Sequence, residues 1–314
     1  MLGRTQIIYV EMDPFLSPRG KVLYRFDQFL AEVAQAQMPC VWMTGWTRAQ
    51  LDEPRRRLAQ NEPYIGESGC GVYLPEDYFH LKGSNTIRLG RYTCIPVAKP
   101  QPAAAEALEE LAADLDISVV PLRKLSPREL SQNTGLPARE AEMIRQRDFD
   151  ELFFFAGASD ADIEKFHQEA EIRDLKVQRN SQFWSLSCGA NLAKCVRELG
   201  ALYDRALRGH ALRVGLRVLT GDEKQSTRTD GWPAAAFDKT FSLTEHADRR
   251  EKLGEMVEDQ DSLEEARDST EIADGEEAGK SHPAGAPHAN RFYLHSPQVW
   301  DDVLAAVGTT TLRR

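Results

Sequence analysis

No apolar run in the 314-residue chain approaches the roughly 20 residues that a membrane-spanning helix needs. The first run, Gln6-Ile7-Ile8-Tyr9-Val10, is too short for the apolar region of a signal peptide, and no small-residue cleavage site follows it. Cysteine is scarce. The five present (Cys40, Cys70, Cys94, Cys188 and Cys195) are odd in number, scattered and never spaced Cys-x-x-Cys, so neither a disulfide framework nor a zinc site is expected. These absences predict a reduced, cytoplasmic protein. Clustered positive charge is missing as well: 39 Lys and Arg stand against 49 Asp and Glu, a net charge of −10. Such a balance excludes a basic surface for nucleic acid, which must displace counterions, and disfavours anionic membranes. His282, His288 and His295 fit no helical pair or finger spacing and read as exposed histidines.

The negative charge is concentrated. Residues Glu245 to Asn290 hold 14 acidic and 5 basic side chains, so −9 of the −10 lies there and the remainder is close to neutral. This stretch has few large apolar residues and no apolar stripe, so it buries too little surface to offset its ordering entropy. It reads as an acidic insertion without fixed structure. Arg291-Phe292-Tyr293-Leu294 and Val299 to Val307 look foldable again, which places the insertion inside a domain.

Ile7-Ile8-Tyr9-Val10 is a continuous apolar run ending in Glu11 and Asp13, the pattern of a buried parallel strand whose carboxyl end presents acids. Leu23 to Ala36 has helical spacing, and Cys40-Val41-Trp42-Met43 is a second buried strand. Strand, helix, strand at this spacing predicts a parallel βαβ unit, with Glu11, Asp13 and Thr44 on the rim where such sheets bind ligands. From about Val72 to Trp184 short strand-like runs (Thr86 to Leu89, Phe153 to Phe155, Leu175 to Val177) flank helical stretches at Ala103 to Leu115 and Ser126 to Gln146. This predicts an α+β insertion rather than more parallel sheet. Ser126-Pro127-Arg128-Glu129 is a capped helix start. After Asn191 a helix runs to about Leu207, followed by Arg217-Val218-Leu219-Thr220-Gly221-Asp222.

Two longer motifs carry a family resemblance. Glu62-Pro63-Tyr64-Ile65-Gly66-Glu67-Ser68-Gly69-Cys70-Gly71-Val72-Tyr73 is similar to "PFIxENGGAIY", and Arg147-Asp148-Phe149-Asp150-Glu151-Leu152-Phe153 to "REFDEPF". With Glu129-Leu130-Ser131, Thr134 to Pro137 and Ser296 to Trp300, in that order, the chain resembles the mannosyl-3-phosphoglycerate phosphatases of the haloacid dehalogenase superfamily. The resemblance implies an α/β fold: a Rossmann-like parallel sheet core with an inserted α+β cap. The corresponding boundaries are residues 1–74 and 187–314 for the core, 75–186 for the cap and 245–290 for the acidic insertion. It also implies Mg2+-dependent hydrolysis of a glycosyl-phosphoglycerate phosphomonoester by an Asp nucleophile, a second Asp, a phosphate-holding Ser/Thr and Lys, and metal-holding acids. Metal and Lys are needed because a phosphate dianion repels a carboxylate nucleophile.

Carried over residue by residue, the pattern is degenerate. "DxDGT" is Glu11-Met12-Asp13-Pro14-Phe15, which keeps the second acid, lengthens the nucleophile by one methylene and replaces a Thr by a ring. A misplacement near 1 Å costs on the order of 10²-fold in rate. Thr44 matches the phosphate-binding hydroxyl, although its position also suits a helix cap. "DKGKAV" is Asn191-Leu192-Ala193-Lys194-Cys195-Val196, so Leu192 stands where the clamping Lys belongs, and Lys194 lies about 200° away around the helix. Asp222 is the metal-ligand candidate of the fourth motif, with Glu11 and Asp13 completing the set. Gln182 replaces the cap Arg of "GGRF". The Arg147 to Asp150 run reads either as a solvated helix end or, as the resemblance implies, as a cap surface that faces the core.

Two readings follow. One is a Mg2+-dependent sugar-phosphate phosphatase whose activity is weakened or lost through Glu11, Phe15 and Leu192. The other is a non-catalytic protein that binds an anionic sugar phosphate or regulates a partner, with the acidic insertion available to a basic protein.

Overall fold

The computed structural model describes residues 5–16, 26–79, 85–180, 182–219, 232–244, 290–294, 296 and 298–308. In chain order the strands are β1 (Gln6–Glu11), β2 (Cys40–Met43), β3 (Tyr64–Gly66), β4 (Gly71–Pro75), β5 (Ile87–Leu89), β6 (Tyr92–Pro96), β7 (Val119–Pro121), β8 (Glu151–Phe155), β9 (Leu175–Asn180), β10 (Phe183–Cys188), β11 (Leu212–Leu219), β12 (Lys239–Thr244) and β13 (Asn290–Tyr293). They form a large sheet in the order β13-β12-β11-β1-β2-β3-β4-β6-β5 and a small one in the order β7-β8-β10-β9.

From β13 to β3 every pairing in the large sheet is parallel. β1 lies inside it, with Ile7 and Tyr9 in one apolar cluster and Ile8 and Val10 in the other. Burial on both faces is what a continuous apolar run encodes. Phe26, Phe29, Leu30 and Val33 of helix Phe26–Gln35 cover one face together with Val299, Trp300, Val303 and Leu304 of helix Val299–Val307. Cys195, Val196, Leu199 and Tyr203 of helix Leu192–Ala206 cover the other. The chain is therefore an α/β protein with a mainly parallel sheet and a separate small antiparallel one.

The change of texture near Val72 is real, but its first part remains in the large sheet. β4 pairs antiparallel with β3, and β6 with β4 and β5, so Ile87–Leu89 extends the large sheet instead of joining the inserted one. The small sheet is wholly antiparallel. Helices Gln101–Leu115 and Asp160–Ile172 pack on one of its faces, and Pro127–Thr134 and Ala138–Ile144 on the other. The expected single helix from Ser126 to Gln146 is these last two. Gly135 takes a left-handed φ of 74° as the C-cap of the first, and Pro137 is the N-cap of the second. Proline disfavours helical backbone in the residue before it, and glycine is the usual way to leave a helix. The capping box of Ser126 and Glu129 forms as expected.

The predicted acidic stretch lies outside the described residues except for Asn290, which opens β13. No helix among the described residues is long and apolar enough to cross a membrane. All five cysteines are buried free thiols.

Candidate functional site

The carboxyl ends of β1 and β2 meet because Met12 donates its N–H to Met43 O at 2.9 Å. This brings Asp13, the first residue of the short helix Asp13–Leu16, against the turn that follows β2. The Gly45 N–H donates to Asp13 Oδ1 and Oδ2 at 3.2 and 3.0 Å, and the Thr44 hydroxyl donates to Oδ1. Thr44 Oγ1 in turn accepts the Trp46 N–H at 3.0 Å. Desolvation pushes the Asp13 carboxyl up from its ordinary range, opposed by Thr44, Gly45 and the charge of Arg147. Thr44 is not the helix cap; Thr47 is, through a reciprocal capping box with Gln50. The motif Thr47-Arg48-Ala49-Gln50 carried that signal.

Glu11 turns the other way. Its Oε2 accepts the Val218 N–H of β11 at 3.1 Å, so the longer side chain is anchored on the neighbouring strand. Phe15 leaves the rim altogether. Its ring is 2% exposed, stacks on Phe26 at a centroid distance of 4.3 Å and leans on Trp300 at 5.8 Å. Leu192 opens helix Leu192–Ala206 behind its N-cap Asn191 and packs beside the cluster that contains Cys195 and Val196. Lys194 is exposed. Asp222 lies outside the described residues, and Gln182 stands exposed in the turn between β9 and β10.

Arg147 reaches this rim from the segment before β8. Its Nη2 donates to Gly45 O at 2.9 Å, and Nε and Nη2 hold Asp150 at 2.5 and 2.7 Å. Glu67 Oε2 lies 4.0 Å from Arg147 Nε, and the Arg147 and Glu67 side chains are 4% and 0% exposed. Burial, with Asp150 and Asp148 adding to it, pushes the Glu67 carboxyl up to about 8 against the pull of Arg147. The structure thus joins Asp13, Thr44 and Arg147 through Gly45, and adds Glu67 and Asp150, which sequence reasoning did not place at the site. The Arg147 to Asp150 spacing was the available signal for one of them.

A divalent ion needs several oxygen donors converging on one point. Asp13 has both oxygens engaged by Gly45, Glu11 is directed to β11, and no group of three or more His, Cys, Asp or Glu among the described residues is arranged to hold a metal ion. The described residues do not fit the Mg2+ that the resemblance implies.

A parallel sheet bearing an acid and a threonine at its carboxyl rim, followed in sequence by a small antiparallel sheet with its own helices, is the arrangement that the sequence resemblance implies. No family model matches the chain. It is 24% identical over 203 residues to a glucosyl-3-phosphoglycerate/mannosyl-3-phosphoglycerate phosphatase of Methanococcoides burtonii, covering 63% of this chain and 72% of that protein. To a mannosyl-3-phosphoglycerate phosphatase of Pyrococcus furiosus it is 21% identical over 210 residues, covering 67% and 83%. A haloacid dehalogenase-like hydrolase structure from Bacteroides thetaiotaomicron aligns over 82% of this chain and 100% of its own, at 12% identity and a TM-score of 0.48. The chain is thus distantly similar in sequence to the glucosyl- and mannosyl-3-phosphoglycerate phosphatases.

Proposed function

We propose that this chain is a phosphatase-fold protein that binds an anionic sugar phosphate and does not hydrolyse it by the route of its relatives. The observation that carries the reading is the state of the two motif acids. Asp13 accepts hydrogen bonds from Thr44 and Gly45, and Glu11 accepts one from Val218, so each is committed to the protein's own backbone or side chains. A nucleophilic carboxylate must instead sit within near-attack distance of phosphorus, and Glu11 starts one methylene away from that geometry. Leu192 removes a positioned cation, a loss worth about 3 to 4 kcal/mol of transition-state stabilisation where such groups act. Losses at residues that act as a unit are not additive, yet the absence of the first alone is severe.

The ligand class rests on similarity to phosphatases of glycosyl-3-phosphoglycerates and on the surviving Asp13 and Thr44. The test is phosphate release from glucosyl- and mannosyl-3-phosphoglycerate, with and without Mg2+, beside calorimetric titration of the same compounds. A flat release trace with measurable binding is the expected result. Turnover that disappears in Asp13→Asn would restore the enzyme reading, and absence of both release and binding would overturn the ligand class. The charge of the acidic segment supports a basic protein partner as well; replacing its Asp and Glu residues by Asn and Gln should weaken that association while keeping the length of chain that joins β12 to the parallel β13.

A further inference from the structure

A set of contacts between the segment before β8 and the large sheet is not used by the proposed ligand site. Glu67, Ser68 and Gly69 in the β3–β4 loop have φ of 48°, 55° and 94°, three successive left-handed residues. The Glu67 carboxylate lies at the centre of this loop's contacts with the opposite segment. Its Oε1 accepts the Asp148 N–H at 2.9 Å, and its Oε2 accepts those of Phe149 and Asp150 at 2.8 and 3.2 Å. The Arg48 guanidinium holds the Asp148 carboxylate through Nε and Nη2, both at 3.2 Å, and the Tyr73 hydroxyl donates to the same carboxylate at 3.0 Å. Arg147 donates to Gly45 O, and the Thr47 hydroxyl donates to Met143 O at 3.0 Å. Each residue from 147 to 150 is therefore bonded to the rim or the β3–β4 loop of the large sheet.

We propose that Glu67, with Arg48 and Arg147, clasps residues 147–150 to the rim and keeps the small sheet from hinging away from the large one. Rotation about the two chain crossings, themselves joined by the Lys99 N–H to Cys188 O at 2.9 Å, would have to break three carboxylate-to-peptide bonds together. Hydrogen bonds of this kind are strengthened where water is excluded, and leaving the three buried N–H groups without an acceptor is costly. The Arg147 guanidinium serves as a strut in this clasp, which takes it out of the set of groups waiting for an anionic ligand. Glu67 acts as a positioning residue.

The test is amide hydrogen exchange on the full chain, comparing wild type with Glu67→Gln and Arg48→Ala. Glutamine keeps the shape but turns an NH2 toward peptide N–H groups. Exchange in peptides spanning residues 145–151 should accelerate at least about tenfold in Glu67→Gln, while helices Gln101–Leu115 and Asp160–Ile172 keep wild-type rates. Arg48→Ala, whose arm is partly exposed, should accelerate the same peptides by a smaller factor and is the deciding variant if Glu67→Gln does not fold. Acceleration spread evenly over the chain, or none at 145–151, would overturn the clasp and leave these contacts as ordinary packing.

Discussion

Replacing Arg147 by Met is the sharpest probe of the charge balance at the rim. The guanidinium makes two bonds to Asp150, at 2.5 and 2.7 Å, one to Gly45 O at 2.9 Å, and lies 4.0 Å from Glu67. Methionine fills much of the volume and removes all four interactions. Asp150, with its side chain 1% exposed, is then left without a counter-charge. Removing one partner of a buried pair costs about 3 to 5 kcal/mol, because the orphaned ion keeps its desolvation penalty. In a protein of this size each kcal/mol moves the melting temperature by about 2 to 4 °C, so Arg147→Met should melt on the order of 10 °C below wild type. Urea denaturation followed by circular dichroism gives the free energy directly. The double variant Arg147→Met/Asp150→Leu should recover at least about half of the loss, since the ion and its partner leave together. A loss below about 1 kcal/mol in the single variant, or no recovery in the double, would refute the view that Arg147 neutralises buried acids.

Three further outcomes follow from the same geometry. The Glu67 carboxyl is raised from 4.5 to about 8, so the proton is held more tightly in the folded chain; its contribution to stability is full below about pH 4.5 and lost as pH rises to 8. The unfolding free energy should therefore fall from pH 5 to 8 more steeply in wild type than in Glu67→Gln, by at most about 1.4 kcal/mol per pH unit, and parallel curves would sink the assignment. Gly69→Ala should cost about 2 kcal/mol or more in a thermal melt, because φ is 94° and the new Cβ would stand 2.7 Å from Leu192 N; an unchanged melt would show that the loop can move away. Phe15→Ala should cost about 3 to 5 kcal/mol in urea, since the ring is packed between Phe26 and Trp300, and a loss under 1 kcal/mol would mean the cluster refills the space.

Much of the fold was legible where one physical signal dominated. β1 and β2 announce themselves because strands buried on both faces cannot carry polar residues, and helix Pro127–Thr134 is marked by its Ser126 and Glu129 box. The antiparallel extension β4, β6 and β5 was missed because strands of three to five residues carry too little periodicity to reveal which sheet they join. Gly135 and Pro137 did signal a break, one overridden by the apolar spacing around it. At the site, motif order led to Asp13, Thr44 and Arg147, but their joining through Gly45 spans about a hundred residues and no local pattern encodes it. Glu67 stands in the motif from Glu62 to Tyr73, but its partners lie 81 to 83 residues away and nothing local announces them.

The departures from the phosphatase pattern are linked by where each side chain now finds its partner. An Asp at position 11 would be one methylene short of the side chain that reaches the β11 N–H; Glu11 makes that contact and joins two strands at the place where they open toward the rim. Phe15 exchanges a polar position for an aromatic cluster with Phe26 and Trp300, which ties the short helix Asp13–Leu16 to the closing helix of the chain. Arg147, bound to Asp150 and Gly45, holds the segment before β8 on that same rim. Each contact lowers the energy of the protein alone, whereas catalysis requires groups whose interactions improve only when the substrate reaches its transition state. On the reading proposed above, polar groups committed to the resting fold must first give up those bonds, and what they lose there offsets what they would gain on phosphorus. Restoring Glu11 to Asp alone would therefore shorten the acid without supplying the cation missing at Leu192 or releasing Asp13 from Gly45, so the motif positions are best understood as one coupled structural unit.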